Sequence, residues 1–301
     1  MDIDYELYKI FYRVAVAGSF TKGAEELHIT QSAVSQAIKN LESRLGTPLF
    51  LRDGRRIRRS QEGEVLFRHI AQGILNFSAG ERSLKEMAGF DSGEVRIGVG
   101  DTICRYHLVP IFKSFAEAYP GIRIQVKNRT SSGILSLLRS GSIDFGIVSL
   151  PAGPGQYKIQ LFRTVRDVFV ASGRYEVLQN RSCDIDELVN YPLLLLNGES
   201  TTRKLLDHFL QSRGIKVVPA IELESMDLLE EFAKIGFGIA HVEELSVQRA
   251  ISTGELFIIN TEPALPEREL GIVSLGATLP SRAANLMCEF ILTREPVPSV
   301  Y

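Results

Sequence analysis

Residues 19–42 read SFTKGAEELHITQSAVSQAIKNLE. Two short helical patterns meet there at a tight break. In the second, Ala33, Val34, Ala37, Ile38, Leu41 and Leu45 recur at three and four residues, so they line one side of a helix and can pack on the rest of a small domain. Ser32, Ser35, Gln36 and Lys39 recur at the same spacing on the other side. Short hydrogen-bonding groups with one cation suit a helix in the DNA major groove, where base edges offer donors and acceptors and phosphates flank them. A solvated helix face would carry the same stripe, so the neighbouring sequence has to decide.

Upstream, Leu7, Ile10, Phe11 and Val14 form an apolar stripe at helical spacing, which predicts a first helix over residues 5–17. Gly18 ends it, and Ser19 or Thr21 can cap the next helix, which runs to Leu27. His28 and Ile29 make the turn, and Thr30 is placed to cap the helix that carries Gln31 and Ser32 in its first turn, the part of a helix-turn-helix that reaches bases. Gly46 and Pro48 stop that helix. Arg52-Asp53-Gly54-Arg55-Arg56-Ile57-Arg58-Arg59 follows, and Asp-Gly is a hairpin signal. A hairpin studded with Arg beside such a helix is a wing for phosphate or minor-groove contacts; by itself it would be a solvated basic loop.

The run LYKIFYRVAVAGSFTKGAEELHITQSAVSQAIKNLESRLGTPLF, the arginine after it and Gly63 resemble the winged helix-turn-helix of LysR-type transcriptional regulators over about ninety residues. The resemblance implies base contacts from Gln31, Ser32, Ser35 and Gln36, with Lys39, Arg52, Arg55 and Arg56 on phosphate or minor groove. Two positions depart from the family. Gly23 replaces a preferred Ala, which should weaken its helix by up to ~1 kcal/mol. Arg59-Ser60 stands where Leu-Thr is usual; Ser60 can still cap the next helix, but Arg59 puts charge where an apolar wing residue is expected.

At 301 residues the chain is long enough for two or more domains. Its net charge of −2 is unevenly spread: residues 1–90 hold 13 Lys and Arg against 11 Asp and Glu, leaving 21 against 25 for the rest. A modestly basic front on an acidic body is expected where only the front meets DNA. The acidic start MDIDYE is not a signal peptide and no segment reaches the ~20 apolar residues of a membrane span, so a cytoplasmic protein is expected. Cys104, Cys183 and Cys288 are scattered and form no metal spacing.

From Gln61 to Met87 the pattern is one long helix, with Leu66, Ile70, Ile74 and Phe77 stepping by four, four and three. An apolar stripe on a long helix asks for a partner. The family resemblance implies the same helix of a second subunit, giving a homodimer or homotetramer; packing on its own domain is the alternative. Residues 89–93, GFDSG, read as a hinge.

Beyond Glu94 strands and helices alternate. Strands are expected at 95–99, 122–127 and 145–148, then near 168–171, 193–196, 220–223, 238–242 and 256–259, and again at 270–274. Helices are expected at 108–118, 134–139, 202–213, 227–235 and 282–293. The βαβαβ order implies a parallel sheet. Two such lobes, with the chain returning to the first, resemble a type II periplasmic-binding-protein fold, the effector domain of the same family. The expected layout is α+β and α/β: a winged helix-turn-helix over 1–60, a linker helix and hinge over 61–90, and an effector domain over 91–301. Its lobe I covers about 91–160 and 266–301, and its lobe II about 161–265.

Ligands in such folds sit between the lobes at the carboxyl ends of strands. Asp101-Thr102, Ser131-Ser132 and Ser200-Thr201-Thr202 stand there at helix starts, Ser149 follows a strand, and Arg129 and Arg203 lie beside two of these groups. Hydroxyls with free helix N–H groups hold carboxylate, sulfate or phosphate, though each alone can be an ordinary cap. Asp101 opposes an anion unless it pairs with Arg, and would suit an amino group.

Gly98-Val99-Gly100 lacks a third Gly in place for a dinucleotide fingerprint; there is no P-loop and no GxSxG. His28, His69, His107, His208 and His241 show no metal spacing and are expected to be surface or satisfied residues. Cys104 near the cleft has no neighbouring Cys to resolve a sulfenate. The expectation is a regulator that binds double-stranded promoter DNA and a small-molecule effector, meets RNA polymerase, and has no cofactor, metal or catalytic residue. The alternative is a solute-binding or enzymatic α/β domain with an appended DNA-binding head.

Overall fold

The computed structural model describes residues 3–53, 56–87, 93–275 and 281–293. Two compact units divide the chain, one essentially residues 1–88 and the other the residues that follow.

The first unit is α1 (Tyr5–Ala17), α2 (Phe20–Leu27), α3 (Gln31–Leu45), the antiparallel pair β1 (Phe50–Asp53) and β2 (Arg56–Arg59), and α4 (Gln61–Met87). The caps follow the sequence. Gly18 and His28 take left-handed backbone to end α1 and α2, Ser19 accepts from the Lys22 N–H, and Thr30 accepts from the Ala33 N–H. Phe11, Val14, Val34, Ile38, Leu41 and Leu49 form the core, closed by Phe67 and Ala71 of α4. Ala33, expected on the packed side of α3, is exposed instead.

Both departures from the family have a local reason. A β-carbon on Gly23 would lie 3.0 Å from Val14 Cγ2 and 3.1 Å from Val14 Cα, so glycine lets α2 close onto α1 and offsets its poor helix propensity. Arg59 turns back into the domain: Nη1 donates to the Ala15 carbonyl at 2.9 Å, Nε to Glu64 at 2.6 Å, and the guanidinium lies 4.3 Å over the Phe67 ring. The cation thereby covers the apolar surface that a leucine would have covered.

The second unit contains, in chain order, β3 (Gly93–Val99), α5 (Asp101–Ile103), a π-helical turn (Cys104–Leu108), α6 (Val109–Ala118), β4 (Ile122–Asn128), α7 (Ser131–Arg139), β5 (Phe145–Ser149), β6 (Lys158–Val165), β7 (Asp167–Ala171), β8 (Ser182–Asp184), α8 (Ile185–Leu188), β9 (Leu193–Leu196), α9 (Thr201–Gln211), β10 (Ile221–Leu223), α10 (Met226–Lys234), β11 (Ile239–Glu243), α11 (Gln248–Ser252), β12 (Phe257–Glu262), β13 (Arg268–Ser274) and α12 (Arg282–Thr293). They form two sheets, β4-β3-β5-β13-β6 and β10-β9-β11-β7-β12-β8. β3 runs parallel to β4 and β5, as expected, but β13 is antiparallel to both β5 and β6, and β7 is antiparallel to β11 and β12. The sheets are therefore mixed. The strands that reverse direction are those at which the chain crosses between lobes, near Arg166 and again over 263–267.

Alternation sorts the second lobe's core. Val168 and Val170 face Leu229 and Ala233 of α10, while Phe169 and Ala171 face Leu206 and Leu210 of α9. The first lobe buries Val95, Ile97, Phe145 and Ile272 against Phe115 of α6 and Met287 of α12.

Candidate nucleic-acid interface and ligand pocket

In the first unit Gln31, Ser32, Gln36 and Lys39 are exposed and Ser35 half-exposed on one side of α3. The Gln31 amide donates to Ser35 Oγ at 3.2 Å, and the Thr30 and Ser32 hydroxyls lie 3.0 Å apart, so the first turn is a pre-arranged row of donors and acceptors. The hairpin pairs Phe50 with Arg59 and Leu51 with Arg58, with the Arg58 side chain exposed. Arg55 lies outside the described residues, as do the side chains of Arg52 and Arg56. An exposed polar row on a capped helix beside a basic hairpin can present hydrogen-bonding groups to base edges and cations to phosphates.

On α4 the apolar stripe divides. Leu66, Ile70 and Ile74 are half-buried against the core of their own domain, whereas Phe77 is 61% and Leu84 68% exposed.

In the second unit a pocket of about 390 Å³ opens where strands from both lobes end. From the first lobe it is lined by Asp101 and Thr102 after β3, by Asn128, Arg129, Thr130 and Ser131 after β4, and by Ser149 at the end of β5. From the second come Asn197, Ser200, Thr201 and Thr202 after β9, Glu224 and Ser225 after β10, and Glu243 at the end of β11. Arg268 of β13 also lines it. Asp101, Thr102, Ser131, Ser149, Ser200 and Thr201, chosen from the sequence, thus border one space. Ser132 does not; it is exposed, its hydroxyl 3.2 Å from that of Thr130.

The charges are arranged differently from the sequence expectation. Arg203 is buried and fully engaged, donating to Asp207 at 2.8 Å and to the Leu196 carbonyl and Glu222 at 2.9 Å each, so it is not a free cation for a ligand. Arg129 is exposed at the rim, with Nη1 donating to the Asn128 carbonyl at 2.7 Å. Asp101 accepts from the Asn128 amide at 2.9 Å and Glu224 from the Asn197 amide at 3.2 Å.

Behind the pocket lies a buried ionic cluster that single-sequence reading missed. Arg268 donates to both Asp167 oxygens at 2.8 Å, to Glu243 at 3.0 Å and to Ser149 Oγ at 2.8 Å. Glu243 also bonds His107 Nε2, whose Nδ1 faces the Arg163 guanidinium at 3.0 Å. An arginine offers only donors, so these partners assign the His107 hydrogen to Nε2. Burial opposes the Arg268 charge, yet its two carboxylates hold its pKa above the ordinary arginine value. Alongside, Asp227 at the start of α10 pairs with Arg105 and accepts from Tyr106 at 3.1 Å, clasping the two lobes; burial first, then Asp227, pushes the Tyr106 phenol up. The strand ends expected at Leu223 and Val242 were the available signal for Glu224 and Glu243, neither of which the sequence reading names. Nothing local signalled Arg268, which is brought in by the return crossing.

Burial, then the Asp101 carboxylate, raises the Cys104 pKa, which disfavours the reactive thiolate. Among the described residues there is no cluster able to hold a metal ion, and no helix is long and apolar enough to cross a membrane.

Comparison with known proteins matches residues 5–64 to the bacterial regulatory helix-turn-helix protein, lysR family, and residues 88–295 to the LysR substrate binding domain. The RuBisCO operon transcriptional regulator of Allochromatium vinosum is 25% identical over 298 residues, 97% of each chain. Among solved structures, ArgP from Mycobacterium tuberculosis superposes with a TM-score of 0.69 at 19% identity over 96% of both chains. The regulatory domain of Synechocystis CcmR, solved in complex with 2-PG, superposes with a TM-score of 0.62 at 19% identity, covering 67% of this chain and 96% of its own.

Proposed function

The chain belongs to the LysR-type transcriptional regulators, and from that premise we propose that it reads its operator through α3 and the wing, as a homo-oligomer, and is switched by a small polar metabolite bound between the lobes of its second unit. In this reading Gln31, Ser32, Ser35 and Gln36 contact base edges, with Lys39 and the wing arginines on phosphate or minor groove. The observation that carries the ligand reading is the convergence of hydroxyls from four separate segments, Thr102, Ser131, Ser149 and Ser200-Thr201, on one 390 Å³ space. Ser200 and Thr201 stand at the N-terminus of the eleven-residue α9, whose free N–H groups and dipole favour negative charge, so the ligand carries a carboxylate or similar anion. A second reading is favoured by Asp101 and Glu224 on the same lining: a ligand bearing an amino group as well. The 2-PG bound to the related CcmR domain agrees with a small polar ligand.

The ligand must bind two arrangements of the protein unequally, since equal affinity shifts nothing. The test is a gel-shift titration on the promoter fragment that the protein protects, with metabolites of the neighbouring genes as ligands. Gln36→Ala should cost about 1–3 kcal/mol of operator binding and relax preference at one position in each half-site. Thr102→Ala should blunt the ligand response while ligand-free operator binding stays near wild type. An unchanged preference in the first variant refutes the reading of α3. An unchanged response in the second leaves Thr102 outside the ligand site.

A further inference from the structure

A second pocket, of about 240 Å³, borders α9 further along the helix. Leu206, Phe209 and Leu265 give it apolar walls. Its floor is polar and includes His241, only 4% exposed, and Thr202, 6% exposed. His241 sits on β11 opposite Phe169, on the sheet face that α9 covers, with ring centroids 5.2 Å apart. The sequence predicts a surface or satisfied histidine at this position. Yet among the described residues neither the His241 ring nor the Thr202 hydroxyl has a hydrogen-bond partner in the protein, and neither is a polar atom sealed from solvent, as Arg96 Nε is, so both open onto the pocket. Buried polar groups in native proteins are nearly always paired, with protein, water or ligand. Two side chains more than nine-tenths buried, without a protein partner and opening onto one pocket, leave their hydrogen bonds to whatever fills it, water or ligand.

The electrostatics narrow its chemistry. Burial lowers the His241 pKa, with Arg268 and Arg203 acting in the same direction and Asp167 opposing, so the ring is neutral near pH 7 and offers one donor and one acceptor. On the floor Asp167 and Arg268 are already paired at 2.8 Å; the remaining carboxylate of the lining, Glu267, is exposed at the rim, where water and salt screen it, so the buried part offers no free counter-charge for an ionic ligand.

We propose that this pocket binds a second small molecule, a neutral aromatic or heteroaromatic compound whose ring lies between Leu206, Phe209 and Leu265 and whose polar edge exchanges hydrogen bonds with His241 and Thr202. The site is distinct from the cleft between the lobes, although Thr202 and Arg268 line both.

The experiment is ligand-observed NMR on the full-length protein near neutral pH. The probes are benzimidazole, which carries a donor and an acceptor on one edge, and indene, which has the same shape and neither group. Benzimidazole should bind saturably. Indene, and benzimidazole with His241→Phe, should bind about tenfold more weakly, the scale of a lost hydrogen bond with its partner left unsatisfied. His241→Gln, which keeps a donor and an acceptor, should recover most of that loss. Leu265→Trp, a filling change in the connecting loop, should abolish binding even if His241→Phe folds poorly. Thr102→Trp, which fills only the other pocket, should leave it unchanged. Equal binding of indene, binding that survives Leu265→Trp, or no saturable benzimidazole binding would overturn the proposal, the last meaning that the floor holds only water.

Discussion

At Gly63 a β-carbon would lie 2.1 Å from the Leu49 carbonyl oxygen. The same oxygen accepts from the Ser60 N–H at 2.9 Å, Ser60 Oγ donates to Pro48 at 2.7 Å, and the Gly63 N–H donates to Ser60 Oγ at 2.9 Å. The backbone at both ends of the hairpin is thus fixed against the start of α4, and the obstructing atom is main chain that cannot rotate aside. Gly63→Ala should therefore destabilise the first unit by about 1–3 kcal/mol, read as a lowered urea midpoint. Gly73→Ala in the same helix, where a β-carbon meets nothing within 4 Å, should be neutral or stabilising by up to ~1 kcal/mol. Equal effects would refute the close-approach account. Residue-scale reading of the sequence succeeds where one residue acts on its own backbone, as Gly18, Ser19 and Thr30 do. It fails where the reason is a distance between elements: Gly23 reads as a weakness but sits where a β-carbon would press on Val14, Arg59 reads as a misplaced charge but folds back over Phe67, and Arg203 lies beside the ligand-site hydroxyls in sequence but is bound by Asp207 and Glu222.

Among elements, α4 is where periodicity says most and settles least. Its stripe was legible, but an apolar stripe does not state whether it meets its own domain or another chain. Leu66, Ile70 and Ile74 are half-buried on their own core, so Ile70→Lys would damage the fold as well as any interface. The outward-facing remainder is Phe77 and Leu84, seven residues apart on one side of the helix. If α4 is the dimer seam that the family resemblance implies, Leu84→Lys loses two buried leucines per dimer, each worth about 1.5–3 kcal/mol. The variant should sediment as a monomer at concentrations where wild type is oligomeric, and bind its operator at least several-fold more weakly. A variant that folds and sediments as wild type would place the seam elsewhere. Strand existence was similarly legible and strand direction was not. Buried runs such as Leu193–Leu196 and Phe145–Ser149 carry no alternation to orient them, and the exposed edge strand β6 and the three-residue β8 left too little pattern to see.

At the scale of the whole molecule, the second unit turns on the two places where its chain changes lobe. Arg268 stands just after one crossing and Asp167 just after the other, and their ion pair ties β13 to β7 while Ser149 and Glu243 bring in β5 and β11. These partners are between 25 and 119 residues from Arg268, which is why no local pattern announced them, whereas the pocket in front, made of strand ends and helix starts, could be read in large part. The Arg268 side chain is 4% exposed and both carboxylates are under 10%. Removing the cation alone strands two buried negative charges, and breaking a buried pair this way costs about 3–5 kcal/mol. Arg268→Met should lower the unfolding free energy of the full-length protein by that amount. The triple variant Arg268→Met, Asp167→Asn, Glu243→Gln should be markedly less damaged than the single change, because it removes the stranded charges together with their partner. Urea unfolding of the two variants beside wild type gives the comparison. If Arg268→Met alone is within about 1 kcal/mol of wild type, the carboxylates reach water when the cation is gone, and the lobes are held by the Asp227 clasp and apolar packing instead.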